Sequence, residues 1–127
     1  MNLYDTRFFF EHYYSGDGTV LEKTRTYLRA NEIKYISAIT VHEVYKISME
    51  KEGKEVANTR TNLLEKEFEV IPVEAEVAKR SAELRSKYRI PMADSMVAAS
   101  AELFRLRCVS DDPHLRQVKE IESRWIY

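Results

Sequence analysis

Short apolar runs alternate along this chain with longer stretches whose apolar positions recur every three or four residues. The short runs read as strands and the longer ones as amphipathic helices, an alternation that predicts an α/β fold. Asn2-Leu3-Tyr4-Asp5 reads as an opening strand ending on an acid. A helix is expected from about Thr6 to Tyr14, then a Ser-Gly-Asp-Gly turn at 15–18, then a helix over roughly 19–31. Lys34 to Ala38 predicts the next strand, and Thr40 opens a helix to about Lys51. Gly53 interrupts, a further helix covers about 54–66, and Phe68 to Val73 reads as a strand. Between Glu74 and Arg89, the positions Val77, Ser81, Leu84 and Tyr88 share one helical face. Pro91 starts an Ala- and Met-rich helix to about Arg105, and Leu106 to Ser110 reads as a buried strand. Asp112 before Pro113 is a start signal for a last helix, and Trp125-Ile126-Tyr127 is expected to add an edge strand. The expected architecture is a three-layer α/β/α sandwich around a short parallel sheet of four or five strands. In such sheets the functional site lies beyond the carboxyl ends of the strands.

Composition narrows the class. With 127 residues, 44% hydrophobic and 32% charged, the chain can bury a real core as one domain over 1–127, and no linker or repeat divides it. No apolar run approaches the roughly 20 residues that span a bilayer, so no membrane association is expected. Asp5, Arg7 and Glu11 interrupt the one apolar N-terminal stretch, which is unlike a signal peptide, and a cytoplasmic location is expected. Cys108 is the single cysteine, so neither an intramolecular disulfide nor a Cys-x-x-Cys zinc site is available. A formal charge of −1 gives no global attraction to nucleic acid, so any such binding must use local patches or bound metal. No Gly-rich phosphate loop occurs.

Four acids fall where the site should lie. Asp5 ends the first strand, Glu43 lies one turn into the helix after the second, and Asp112 follows the strand at 106–110. Asp94 opens the Ala-rich helix and is the only acid between Glu83 and Glu102. Each has a plain structural alternative. Thr40 and Glu43 match a capping box, Asp112 an N-cap, Asp94 a dipole-complementing first turn, and Asp5 a turn closure. Their joint placement favours a site. Asp94 carries the sharpest argument: its neighbours from Pro91 to Ala101 are nearly all small or apolar, and no Lys or Arg lies within one turn. A carboxylate on a mostly buried helix needs a partner, and a metal ion is the simplest one. Gathered carboxylates repel by roughly 4 kcal/mol per pair about 4 Å apart at an effective dielectric near 20. An all-carboxylate set suits Mg²⁺ or Mn²⁺, which can activate water and stabilise the leaving oxygen of a phosphodiester.

At these residues the chain resembles the PIN-domain family, and particularly the VapC toxins of toxin–antitoxin pairs. The resemblance covers essentially the whole chain. Leu3-Tyr4-Asp5-Thr6 followed by Phe8-Phe9 is similar to the family's opening block, and Ile36 to Thr40 leading to Glu43 to its second. Ala93-Asp94-Ser95 through Ala101 is the most specific match, and Val109-Ser110-Asp111-Asp112-Pro113-His114-Leu115 resembles the last block. The resemblance implies metal-binding and catalytic roles for Asp5, Glu43, Asp94 and Asp112, with Asp111 a possible outer-shell helper. It also implies an RNA substrate, Mg²⁺ or Mn²⁺, a homodimer and inhibition by an antitoxin protein. Thr6, Arg7 and Ser110, beside these acids, are candidate substrate-binding residues. Arg7 departs from the small polar residue usual in the family; it could touch phosphate or crowd the metal.

Other features are plainer. His12, His42 and His114 have no metal-like mutual spacing, although His42 and His114 adjoin site residues. Lys79, Arg80, Arg85, Lys87 and Arg89 are interspersed with acids and read as a solvated face, with Arg85 and Arg89 candidates to line an RNA path. Phe8, Phe9, Phe10, Tyr13 and Tyr14 are too apolar for one buried face, so part of this stretch is expected to meet a dimer mate or an antitoxin helix. Two alternatives stay open, a catalytically silent binding module, motivated by Arg7, and a housekeeping RNA-processing nuclease. A phospho-acceptor receiver also gathers acids at strand ends. It pairs two early acids with a late Lys, whereas here the adjacent acids, Asp111 and Asp112, come late.

Overall fold

The computed structural model describes residues 1–127. Five strands, β1 (Asn2–Tyr4), β2 (Lys34–Ser37), β3 (Glu69–Ile71), β4 (Arg107–Val109) and β5 (Ser123–Arg124), form one parallel sheet in the order β3-β2-β1-β4-β5. The helices are α1 (Thr6–Tyr14), α2 (Gly18–Arg29), α3 (Ala38–Glu52), α4 (Lys54–Glu67), α5 (Ala75–Tyr88), α6 (Met92–Leu103) and the short α7 (Pro113–Arg116).

Two-residue alternation along each strand builds the three layers. Leu3, Ile71 and Cys108 face one side, where they meet Val77 and Leu84 of α5, Val97, Ala98 and Ala101 of α6, and Leu115 of α7. Tyr4, Ile36 and Val109 face the other, against Phe8 and Phe9 of α1, Val20 of α2, Val44 of α3 and Leu64 of α4. The second side is aromatic. Tyr4 meets Phe8, Phe68 and Tyr27 edge-on at centroid distances of 4.8, 5.6 and 6.2 Å, a favoured arrangement for aromatic pairs. Phe8 and Phe9 are buried while Phe10, Tyr13 and Tyr14 are only half-buried, so the aromatic stretch does divide between core and surface.

Element ends differ from the sequence expectation for identifiable reasons. β3 stops before Pro72, which has no N–H to give the ladder. α6 ends at Leu103 because Arg105 adopts φ 55°, a left-handed turn that a helix cannot continue through. β5 forms at Ser123–Arg124 instead of Trp125–Tyr127, where the Trp125 carbonyl accepts from the Tyr27 hydroxyl (3.2 Å) and Ile126 turns into the core. Gly53 joins α3 to α4 at φ 94°, a backbone conformation that strongly favours glycine.

Much of the charged face of α5 is paired. Arg80 grips both oxygens of Glu102 (2.6 and 3.0 Å) and reaches Glu83 at 3.3 Å. Lys87 donates to Glu120 at 2.8 Å, and the Tyr88 hydroxyl bonds the same carboxylate. Arg85 donates to the Ile90 carbonyl at 3.3 Å, which ties it to the end of its own helix. No helix is long and apolar enough to cross a membrane.

Candidate metal centre

The strand order reverses between β1 and β4, and ligand sites of open α/β sheets lie at that reversal, beyond the carboxyl ends. β1 and β4 run in register, Tyr4 opposite Val109, so Asp5 and Ser110 leave the sheet side by side. The Asp5 amide donates to the Val109 carbonyl at 3.2 Å, which anchors that exit. Asp5 occupies the N-cap position of α1, yet its side chain makes no cap; Oδ2 accepts instead from the Ser110 hydroxyl at 2.7 Å. Ser110 Oγ in turn accepts from the Asp112 amide at 3.0 Å. Asp112 caps α7, Oδ1 accepting from the His114 amide at 2.9 Å, so the N-cap expectation holds. Capping engages that one oxygen.

Glu43 enters from β2's side, and its capping-box alternative fails. α3 begins two residues earlier than expected, and Ser37 is the N-cap, its Oγ accepting from the Ile39 amide at 3.2 Å. Glu43 therefore lies inside the helix, where Oε1 accepts from the Thr6 hydroxyl at 2.6 Å. Thr6 and Ser110 are 5% and 0% exposed, and each donates to a site carboxylate. Thr6 and Ser110, the candidate substrate-binding residues, are thus enclosed hydroxyls engaged with Glu43 and Asp5, a position that orients those acids.

Asp94 lies in the first turn of α6, partly buried, and no hydrogen bond or ion pair engages its carboxylate. Asp94, Asp112 and His114 each place a ligand atom within 4.8 Å of the others. Asp5 and Glu43 lie outside that triplet but within its field. Burial, reinforced by the charges of Asp94 and Glu43 against the opposing Ser110 bond, pushes the Asp5 carboxyl up to about 7. Burial and then the charge of Asp112 push Asp94 up to about 6, with His114 opposing. His114 went unassigned in the sequence because nothing in spacing alone marks a residue two past an N-cap as facing a different helix.

Arg7 and Asp111 form a separate pair. Arg7 Nε and Nη2 donate to the two oxygens of Asp111 at 3.0 and 3.2 Å, and Glu11 lies 3.6 Å away on the same helix face. Both Asp111 oxygens accept from Arg7. Arg7 engages Asp111 and Glu11 and bonds none of the four site acids.

The residues present fit a divalent cation. Two carboxyls are lifted toward neutrality by burial and by neighbouring acids, one of them has no protein partner, and the donors are predominantly oxygen. A positive charge supplied from outside would relieve the first two conditions, and oxygen donors suit a hard divalent ion.

Fold and site together define a parallel α/β protein with an acidic, cation-ready centre at the topological switch of its sheet. The PIN domain family matches residues 3–121, and the chain belongs to that family. No curated protein matches by sequence. Among solved structures, it is similar to a toxin–antitoxin complex from Klebsiella pneumoniae, 23% identical, covering 100% of this chain and 98% of that one with TM-score 0.78. It is similar also to FitAcB from Neisseria gonorrhoeae, with 24% identity, coverage of 97% and 96%, and TM-score 0.77. A toxin from Mycobacterium tuberculosis described as cleaving the sarcin–ricin loop matches at 14% identity, coverage 96% and 98%, and TM-score 0.79. Likenesses this distant in sequence establish a shared fold.

Proposed function

We propose that this chain, as one domain over 1–127, is a divalent-metal-dependent endoribonuclease and the toxin of a cytoplasmic toxin–antitoxin pair. The observation that carries the reading is the buried Asp5 carboxyl, raised to about 7 and grouped with Glu43, Asp94 and Asp112 with no basic side chain bonded to any of the four acids. Mg²⁺ or Mn²⁺ bound there supplies positive charge against the scissile phosphate and the leaving oxygen, and a means of activating water. The chain's own residues do the rest. Asp5, Glu43, Asp94 and Asp112 would hold the ion. Ser110 and Thr6 fix the Asp5 and Glu43 carboxylates, and the short α7 cap keeps Asp112 in place. Membership of the PIN domain family, and the likeness in fold to a toxin that cuts the sarcin–ricin loop, support RNA as the substrate.

The antitoxin reading draws on the Klebsiella complex and on a groove of about 730 Å³ on the aromatic side of the sheet. Phe9, Tyr13, Leu28, Leu63 and Phe68 line it, and Leu63 is half exposed, which suits the apolar face of a partner helix. A homodimer belongs to the same reading, and light scattering that returned the mass of one chain would remove it. A chain that gained no thermal stability from Mn²⁺ would favour the silent-module alternative instead.

Cleavage of labelled single-stranded RNA by purified protein in Mn²⁺, Mg²⁺ or EDTA tests the nuclease. Metal-dependent cutting that drops at least about tenfold in Asp94→Asn is expected, since losing even a partner of a metal ligand costs about 10–100-fold in metal affinity or activity. Cutting that persists in EDTA, or survives the substitution, would refute the assignment.

A further inference from the structure

We propose that His114 is itself a ligand of the metal, through a ring nitrogen, and that it biases the centre toward Mn²⁺ over Mg²⁺. The inference rests on the metal-dependent reading above and extends it by one residue and one selectivity. Its ground is the triplet in which a ring nitrogen of His114, an oxygen of Asp94 and an oxygen of Asp112 all lie within 4.8 Å of one another. Bonds of about 2.0–2.2 Å to one ion put adjacent ligands about 3 Å apart and opposite ones about 4.0–4.4 Å apart, so side-chain rotation that draws these three atoms together closes them on a cation.

The placement is enforced by the backbone. The His114 amide donates to Asp112 Oδ1 at 2.9 Å, which fixes the His114 Cα beside that carboxylate. Asp112 can then offer its other oxygen from one end of α7, while the imidazole approaches from the first turn and Asp94 arrives from α6. No lysine or arginine forms an ion pair with Asp94 or Asp112, so His114 is the one nitrogen-bearing side chain in this triplet.

The donor chemistry sets the selectivity. Carboxylates suit Mg²⁺ and Mn²⁺ alike, but imidazole suits the transition ions, and Mg²⁺ is bound through oxygen with several retained waters. Replacing one oxygen by an imidazole nitrogen therefore favours Mn²⁺ and leaves Mg²⁺ dependent on the carboxylates. An exposed histidine that only balanced the charge of its neighbours would affect both ions equally.

Calorimetric titration of the full chain with MnCl₂ and with MgCl₂, for the wild type and His114→Ala, separates these cases. Alanine keeps the amide that caps Asp112. Loss of a residue that merely orients a ligand costs about 10–100-fold in metal affinity, so Mn²⁺ affinity is expected to fall at least about tenfold and Mg²⁺ affinity less than about twofold. Pulsed electron paramagnetic resonance of the wild type with Mn²⁺ is expected to show coupling to ¹⁴N, lost in His114→Ala. Equal losses for the two ions, or Mn²⁺ bound without ¹⁴N coupling, would overturn the assignment of His114 while sparing the carboxylate centre. Wild-type protein that bound neither ion would remove the metal reading and this inference together.

Discussion

Glu102 and Glu120 lie against Arg80, Lys87 and Tyr88, whereas Asp5, Glu43, Asp94 and Asp112 share one edge of the sheet with no basic side chain bonded to them. The same functional group meets opposite fates. Hydrogen bonds from Lys87 and Tyr88 hold the Glu120 carboxyl down at about 2, and Glu102 raises the Arg80 guanidinium. At the sheet's carboxyl edge, burial and mutual repulsion lift Asp5 to about 7 and Asp94 to about 6. The first region is what charged side chains do when the fold alone arranges them. The second runs against stability, and a fold keeps such an arrangement where a ligand or a reaction uses it.

Acid titration should separate the two regions most widely. A carboxyl raised in the folded state binds more protons folded than unfolded. The penalty of ionising Asp5 is therefore absent below its unfolded value near 3.8, grows with pH, and is complete above about 7. Metal-free protein should gain stability from this group as pH falls from about 7 to about 4, by up to about 4 kcal/mol at about 1.4 kcal/mol per unit. Glu120 has the reverse sign: its contribution is present above its ordinary 4.5 and is lost as pH falls through about 2. Urea unfolding in EDTA across this range should show greatest stability near pH 4–5. Asp5→Asn, whose amide oxygen can still accept from Ser110, should flatten the rise. A wild-type chain as stable at pH 8 as at pH 5, or an Asp5→Asn profile of unchanged slope, would mean that Asp5 is not strained as described.

The sheet and its helices were legible because their signals are local and repeated, such as the two-residue alternation of Leu3-Tyr4 and Cys108-Val109, the face shared by Val77, Ser81 and Leu84, and proline beside Asp112. The order of the strands was less so, since nothing near Ser123 announces that it pairs with Cys108. The four acids could be proposed because Asp5 and Asp112 follow strands, Asp94 opens a helix and Glu43 lies early in one, all toward the same sheet edge. Their wiring could not. Thr40 and Glu43 satisfy a capping box in one dimension, while in three Glu43 answers to Thr6, thirty-seven positions away. Arg7 with Asp111, and His114 with Asp94, are likewise pairings made by the crossover of the chain.

Cation addition should act on one region only. At a hundred times its Kd, Mn²⁺ stabilises the folded chain by about 2.7 kcal/mol through mass action. The gain should shrink at pH 5, where protons compete for the same oxygens. Thermal melts at pH 7.5 with and without Mn²⁺ should show the shift in wild type and its near-absence in Asp94→Asn. An undiminished shift in that variant would place the cation elsewhere, for instance on the acids of the paired region.

The smallest effect comes from disturbing that paired region. Glu102→Gln keeps an oxygen to accept from Arg80 but removes the charge, and Arg80 retains Glu83 at 3.3 Å and Glu120 at 3.7 Å. Both partners are partly solvated, so water and the remaining acids make up most of what is lost. The expected cost is about 1 kcal/mol or less in urea unfolding, with RNA cleavage and the Mn²⁺ shift unchanged. Because the variant alters charge without touching the site, it also tests whether the two regions are independent. Combined with Asp94→Asn, its effect on stability should add to within about 0.5 kcal/mol, as for distant sites with no shared partner. A larger discrepancy would mean that α6, which carries Glu102 near one end and Asp94 at the other, transmits strain between them, and that the metal centre is held in place in part by the ion pairs at its far end.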